Sequence, residues 1–188
     1  MRLAHVTLKS TAPYSQSRMH DTPKKEKERA DDYEQRTWRN RLHVDENGEV
    51  YIPPMALKNS LGEAAKFLAM PIVGKGKATY TKHFDAGVLV VDGVPLGIKA
   101  EDVKGERLYL NSDGRTGGNK RVWRTYPRIP EWSGKVTYYV LDETITRDVF
   151  EKVLREAGRF IGIGRFRPRN RGFYGRYETA SILWEEEN

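Results

Sequence analysis

The sequence predicts an α+β fold whose core elements run β-α-β-β-α-β. Three observations point there. The chain opens with alternating apolar and polar residues. Two later stretches carry apolar residues at helical spacing. Segments rich in β-branched and aromatic residues lie between and after those helices.

In RLAHVTLK (2–9), Ala4, Val6 and Leu8 share one face, while Leu3, His5, Thr7 and Lys9 share the other, which is a strand pattern. Residues 15–40 change character. SQSRMHDTPKKEKERADDYEQRTWRN has few aliphatic residues and a dense mixture of charges. It reads as a charged insertion after the first strand, exposed and mobile, with Thr22-Pro23 offering a cap to a solvated helix. Arg41 to Ile52 predicts a hairpin turning at Asn47-Gly48. After Pro53-Pro54 the residues Leu57, Leu61, Ala64, Ala65 and Leu68 form one apolar stripe, a first helix ending near Met70-Pro71. Residues 74–82 read as a basic loop. GVLVV (87–91) reads as a buried strand.

Residues 107–126 predict a projecting hairpin whose basic tip carries Gly114, Gly117 and Gly118. GKVTYYVLD (134–142) is a strong strand. Thr146 caps a second helix with Val149, Phe150, Val153, Leu154, Ala157, Phe160 and Ile161 on its apolar face. A closing strand covers Tyr177–Trp184. Without its hairpins the order is that of a ferredoxin-like, RRM-like sheet with two helices on one face. The other face would be free to carry nucleic acid, as RRM-type sheets do. The chain reads as one domain over 1–188.

Composition narrows the function. Aromatic residues make up 11%, which argues against wholesale disorder. No run of about 18 apolar residues is present, so no membrane span is expected. MRLAHVTLKS is too polar for a signal-peptide core, so a cytoplasmic setting is expected. With Cys 0, disulfides, cysteine-ligated zinc and thiol catalysis are excluded. Lys+Arg 33 against Asp+Glu 26 gives a net charge of +7, which points towards polyanions once the charge is shown to cluster.

It clusters after the second helix. In GIGRFRPRNRGFYGRYE (162–178), Arg165, Arg167, Arg169 and Arg171 recur at every second residue, and Arg176 follows. Phe166, Phe173 and Tyr174 are interleaved, and no acid falls between Gly162 and Tyr177. Guanidiniums and glycine amides suit phosphates, and rings suit bases. The competing reading is a surface loop whose arginines pair with Glu63, Glu156 or the acidic tail. The segment lacks the GxxxxGK[ST] of a P-loop.

Two segments in this order resemble the RAMP superfamily of CRISPR surveillance complexes. IPPMALKNSLGEAAKFL, entering the first helix, is similar to that family's Ile-Pro, spacer, Leu-Lys, spacer, Leu pattern, with Pro54-Met55 where a Gly-Ser pair is usual. GIGRFRPRNRGFYGRYE is similar to its glycine-rich loop after the last helix. The resemblance implies a ferredoxin-like core and binding of single-stranded RNA or DNA. It implies further that Lys58 and Asn59 approach the nucleic-acid backbone, and that Arg115, Lys120, Arg121 and Arg124 belong to a thumb-like element. CRISPR complex subunits, or further copies of this chain along the strand, are the implied protein partners. The implied setting is a bacterial, archaeal or phage-infected cell.

No catalytic motif stands out. Among the four histidines none has HExxH spacing, and no cofactor or metal site is expected. His20, beside Asp21, is the candidate for acid–base work on a 2′-hydroxyl. Three readings stay open: a non-catalytic RNA- or ssDNA-binding protein, a metal-independent endoribonuclease, and a phage-encoded mimic that docks on a surveillance complex and inhibits it.

Overall fold

The alternation in the first strand sets the core. In β1 (Arg2–Ser10), Ala4, Val6 and Leu8 are buried and their neighbours are half-buried or exposed. The structure is a computed structural model that describes residues 1–112, Gly118 and 120–186. After β1 come α1 (Ala30–Thr37), β2 (Glu49–Ile52) and the long helix α2 (Pro54–Leu68). Then come α3 (Thr81–Gly87), β3 (Val88–Leu89), β4 (Val94–Lys99), β5 (Lys104–Asn111) and β6 (Arg121–Arg128). The chain closes with β7 (Ser133–Val140), α4 (Arg147–Glu156) and β8 (Tyr177–Glu186).

The main sheet has the order β3-β7-β1-β8, antiparallel throughout. Val6 lies opposite Val136 on β7 and Ile182 on β8. The helices α2 and α4 cover the Val6 face. Tyr138 on β7 meets Phe150 of α4 edge-on at 5.3 Å, and Phe150 meets Trp184 of β8 at 5.5 Å. Ser60 of α2 and the buried Tyr177 hydroxyl of β8 are 3.0 Å apart, which ties α2 to the sheet's edge. Two smaller antiparallel pairs, β2-β4 and β5-β6, complete the α+β architecture. No helix among the described residues is long and apolar enough to cross a membrane.

Several elements differ from the sequence reading. The strand expected over 87–91 shrinks to two residues, because Thr81–Gly87 is helical before it. The hairpin expected over 41–52 is a single bridge, Val44 to Val50, and β2 pairs instead with β4. The second helix starts as expected, with Thr146 Oγ accepting from the Val149 amide at 3.4 Å. It ends differently, in a π turn over Ala157–Ile161.

The charged segment 15–40 is not uniformly exposed. Ser15, Gln16, Glu34, Thr37 and Trp38 are buried. Gln16 donates to the Tyr51 carbonyl at 2.8 Å and accepts the His43 amide at 2.6 Å. The helix within the segment begins at Ala30, not at Pro23, and residues between the pinned ends are mostly exposed. Polarity predicted exposure, but a few buried polar residues with dedicated partners anchor both ends.

Candidate nucleic-acid interface

Three separate parts of the chain converge on one groove of about 1180 Å³: the charged segment, the β5-β6 ladder and the glycine loop. Along β5-β6, Leu108 lies opposite Arg124 and Glu106 opposite Tyr126, so these side chains share the groove face. Arg18 and His20 come from the charged segment, and Arg165, Phe166, Arg171, Phe173 and Tyr174 from the loop.

Electrostatics divide the arginines. Glu34 sits buried at the groove's base and accepts from both ends of the Arg41 guanidinium, at 3.0 and 3.1 Å, and from Arg124 at 2.5 Å. Burial raises the Glu34 carboxyl, but those two arginines outweigh it and hold it below the ordinary carboxylate value. One carboxylate against two guanidiniums leaves the base net positive. Arg165 is held from several sides. Its Nε donates to Ser15 Oγ at 3.1 Å, its guanidinium stacks over Tyr126 at 4.1 Å, and Glu106 lies 3.5 Å away. Burial lowers its pKa, against the pull of Tyr126 and Glu106. Arg18 and Arg171 line the groove and form no ion pair among the described residues.

The rings divide too. Tyr174 is only 6% exposed, and its hydroxyl donates to Glu106 Oε1 at 2.7 Å. It is a packing residue, unavailable to stack on a base. Phe166 and Phe173, 45% and 49% exposed, sit edge to face at 5.7 Å and are the free rings.

Other expected residues lie elsewhere. Arg167 pairs with Glu63 of α2 at 2.9 Å, and Arg169 with the same carboxylate at 3.5 Å. The competing surface-loop reading therefore holds for these two. Arg176 immediately precedes β8 and donates to the Arg159 carbonyl at 3.2 Å, outside this groove. Lys58 donates to the Asp85 carbonyl, and Asn59 is exposed one turn before Glu63 on α2. Neither lines the groove. Lys120 and Arg121 stand at the start of β6, Arg121 on the face opposite Arg124. Arg115 lies outside the described residues.

The glycines do a different job from the one expected. A Cβ on Gly172 would come within 1.8 Å of the Phe166 carbonyl oxygen, and one on Gly175 within 1.8 Å of the Ile163 carbonyl oxygen. They allow the loop to pack on itself. Several of its amides are engaged as well: Tyr174 N donates to Phe166 O within the loop at 3.0 Å, and Arg165 N to Ser15 O and Gly175 N to Pro13 O outside it, at 2.8 and 2.7 Å. Phe166 and Arg171 hold positive φ values of 57° and 63°, which few non-glycine residues adopt.

His20 lines the groove, with Nδ1 3.1 Å from Thr22 Oγ1 and its ring stacked 6.4 Å from Tyr33. The other histidines are structural in their contacts. His5 meets Thr137 at 3.0 Å and His83 meets Asp142 at 2.6 Å. His43 packs at 5.8 Å on Tyr51, and its pKa is lowered by burial and by Arg18.

Two exposed rings were missed from sequence. Tyr109 and Trp123 lie opposite each other on the outer face of β5-β6, 5.1 Å apart, with Arg107 stacked 4.3 Å over Trp123. The signal was the alternation in ERLYLN and RVWRTY, which sets these rings on the face away from Leu108 and Arg124.

Solved structures share this architecture. The chain is similar to Cmr6 from Pyrococcus furiosus, with a TM-score of 0.50 and 13% identity over 94% of this chain and 98% of that one. It is also similar to a chain of the Type III-B Cmr-beta complex bound to cognate target RNA, with a TM-score of 0.56 and 11% identity over 97% of this chain and 60% of that one. At such identities the likeness is one of fold. In sequence, part of the chain is similar to the large ribosomal subunit protein uL13. The match is 32% over 98 residues in Microchaete diplosiphon, covering 44% of this chain and 64% of that protein. In Trichodesmium erythraeum it is 33% over 85 residues, covering 38% and 56%. The chain thus spans less than two thirds of these ribosomal proteins. No family model matches it.

Proposed function

We propose that this chain is a RAMP-type subunit that holds the backbone of single-stranded RNA without cleaving it. The core is read as ferredoxin-like, because β1 and β7 are central, β3 and β8 are the edges, and α2 and α4 occupy the two crossovers. One observation carries the functional reading. A single groove gathers Arg18, Arg124, Arg165 and Arg171 around the exposed rings of Phe166 and Phe173. Guanidiniums neutralise phosphates and rings stack on unpaired bases, which is the combination single strands require. The Cmr-beta neighbour is described as bound to target RNA, and the implied partners of this chain are the subunits of such a complex.

Arg18 and Arg171 are the clean probes, since neither is committed to a carboxylate. Replacing both with Ala is expected to weaken binding of a labelled single-stranded RNA. It is also expected to flatten the log–log salt slope by roughly 1.4, about 0.7 for each lost phosphate contact. The loss should be alike across base sequences, and a parallel titration with the matching DNA reports the preference for the 2′-hydroxyl. Affinity and slope unchanged in a folded double variant would remove the groove as the site.

His20 at the rim of the same groove favours a second reading, metal-independent RNA cleavage. Incubation with RNA in a chelator, followed by product sizing, tests it. Products formed by the wild type and lost in His20→Ala would establish it, and intact RNA would leave the binding role alone.

A further inference from the structure

A second groove, of about 620 Å³, runs between α4 and the edge strand β8. No residue lines both grooves. We infer that it is a separate site for a phosphate chain, one that takes the sugar–phosphate backbone of a nucleic acid without engaging its bases.

The argument begins with a row on the helix. Arg147, Glu151, Arg155 and Arg159 follow one another at four-residue spacing and line the groove. Glu151 neutralises Arg147 at 2.6 Å. Beyond it the row becomes Arg155 followed by Arg159, like charges one turn apart, an arrangement that repels in the free protein. Arg155 reaches only its chain neighbour Glu156, at 3.4 Å.

A third guanidinium is brought alongside by a close approach of backbones. Gly158, in the π turn that ends α4, packs against the first residue of β8. A Cβ there would come within 2.0 Å of the Tyr177 carbonyl oxygen. Only glycine permits that contact, and it is what sets Arg176 against Arg159. The Arg176 Nε donates to the Arg159 carbonyl at 3.2 Å, which leaves the outer guanidinium nitrogens uncommitted. The Arg159 guanidinium has the Phe160 ring at 5.1 Å, and neither arginine forms an ion pair among the described residues. Thr179 and Ser181 of β8 add hydroxyl donors along the same groove, and with Glu178 beside them the lining sets four arginines against two carboxylates, Glu151 and Glu178.

The lining also says what is not recognised. Its one aromatic residue, Tyr177, is buried, with its hydroxyl on Ser60. No ring among the lining residues is available for base stacking, in contrast to Phe166 and Phe173 in the first groove. The chemistry is that of forked cationic donors and hydroxyls for phosphate oxygens.

The test uses the full chain and end-labelled linear inorganic polyphosphate, which has the charge of a nucleic-acid backbone and no bases. Arg155→Ala/Arg159→Ala/Arg176→Ala is expected to lose about tenfold or more in affinity, a factor equal to about 1.4 kcal/mol. An unchanged melting temperature shows that the three exposed or half-exposed side chains were not holding the fold. Arg18→Ala/Arg171→Ala should retain most polyphosphate binding. The affinity for a labelled single-stranded oligonucleotide which that variant loses relative to the wild type reports the first groove, so failure of one site is separable from failure of the other. Wild-type affinity in the folded triple variant would overturn the inference. So would competition by poly-glutamate as effective as by unlabelled polyphosphate, because a site built for phosphate must prefer it to carboxylate.

Discussion

Glu34 is the residue on which the first groove's geometry depends. It is 2% exposed and holds Arg41 and Arg124 in fixed positions. Its pKa is depressed in the folded protein, so the stabilisation is fully present above the unfolded value of about 4.5. It is lost as pH falls through the lower folded value. Acid unfolding of the wild type should therefore show a limb below about pH 4.5 that Glu34→Gln lacks. Glu34→Ala, which leaves two guanidiniums facing each other, should cost about 3 kcal/mol at neutral pH by chemical denaturation. The loop rings give a second contrast. Phe166→Ala should cost about 1–3 kcal/mol in RNA affinity through lost stacking. Tyr174→Phe should leave affinity unchanged but lower stability by about 1–2 kcal/mol, because Glu106 loses a buried donor. The sequence shows three aromatic residues close together and cannot rank them. Burial of Tyr174 is decided by Glu106, 68 residues away.

Among the elements, the amphipathic helices were the most legible. Val153, Leu154 and Ala157 of the second helix's stripe are buried as their spacing requires, whereas Phe160, expected on the same face, is 42% exposed. Leu154 is fully covered, so Leu154→Ala should cost about 2–5 kcal/mol, read as a lowered melting temperature. Short elements were not legible. TKHFDAG (81–87) is too brief to show a helical stripe and leads directly into apolar residues, so it reads as the approach to a strand. β4, VPLGIK, contains a Pro and a Gly that argue against a strand, yet it pairs with β2 at long range. The charged segment was legible in its middle and not at its ends, where Gln16 and Glu34 find partners remote in sequence. Limited trypsinolysis should therefore cut first at Lys24, Lys25 or Lys27 and spare Arg36 and Arg41, whose guanidiniums are engaged by Glu28 and Glu34. Early cleavage at Arg41 would contradict the anchoring.

At the scale of the molecule, the α+β class could be read along the chain, and so could the concentration of arginines after α4. Which arginines remain free could not. Arg167 and Arg169 share the one carboxylate of Glu63, about a hundred residues earlier, and Arg18 joins the groove from a segment that reads as a mobile insertion. The groove exists only because three distant parts of the chain meet. If it serves as proposed, the protein purified at low salt should carry nucleic acid. That is visible as a raised ratio of absorbance at 260 to 280 nm, removed by ribonuclease or by high salt. A ratio typical of free protein at every salt concentration would count against RNA as the partner.

The self-packed glycine loop has a consequence for rates. Seven of its amides, from Ile163 to Gly175, are already bonded to its own carbonyls or to those of Pro13 and Ser15, and Gly164, Gly172 and Gly175 fit against backbone oxygens that leave no room for a side chain. Such a loop has little conformational freedom left to lose when a ligand arrives. Association should then be a single bimolecular step, its rate constant governed by encounter with the unpaired arginines and falling as salt screens them. Rapid mixing with labelled RNA should give one exponential phase whose rate rises linearly with protein concentration, without the plateau that an ordering step would impose.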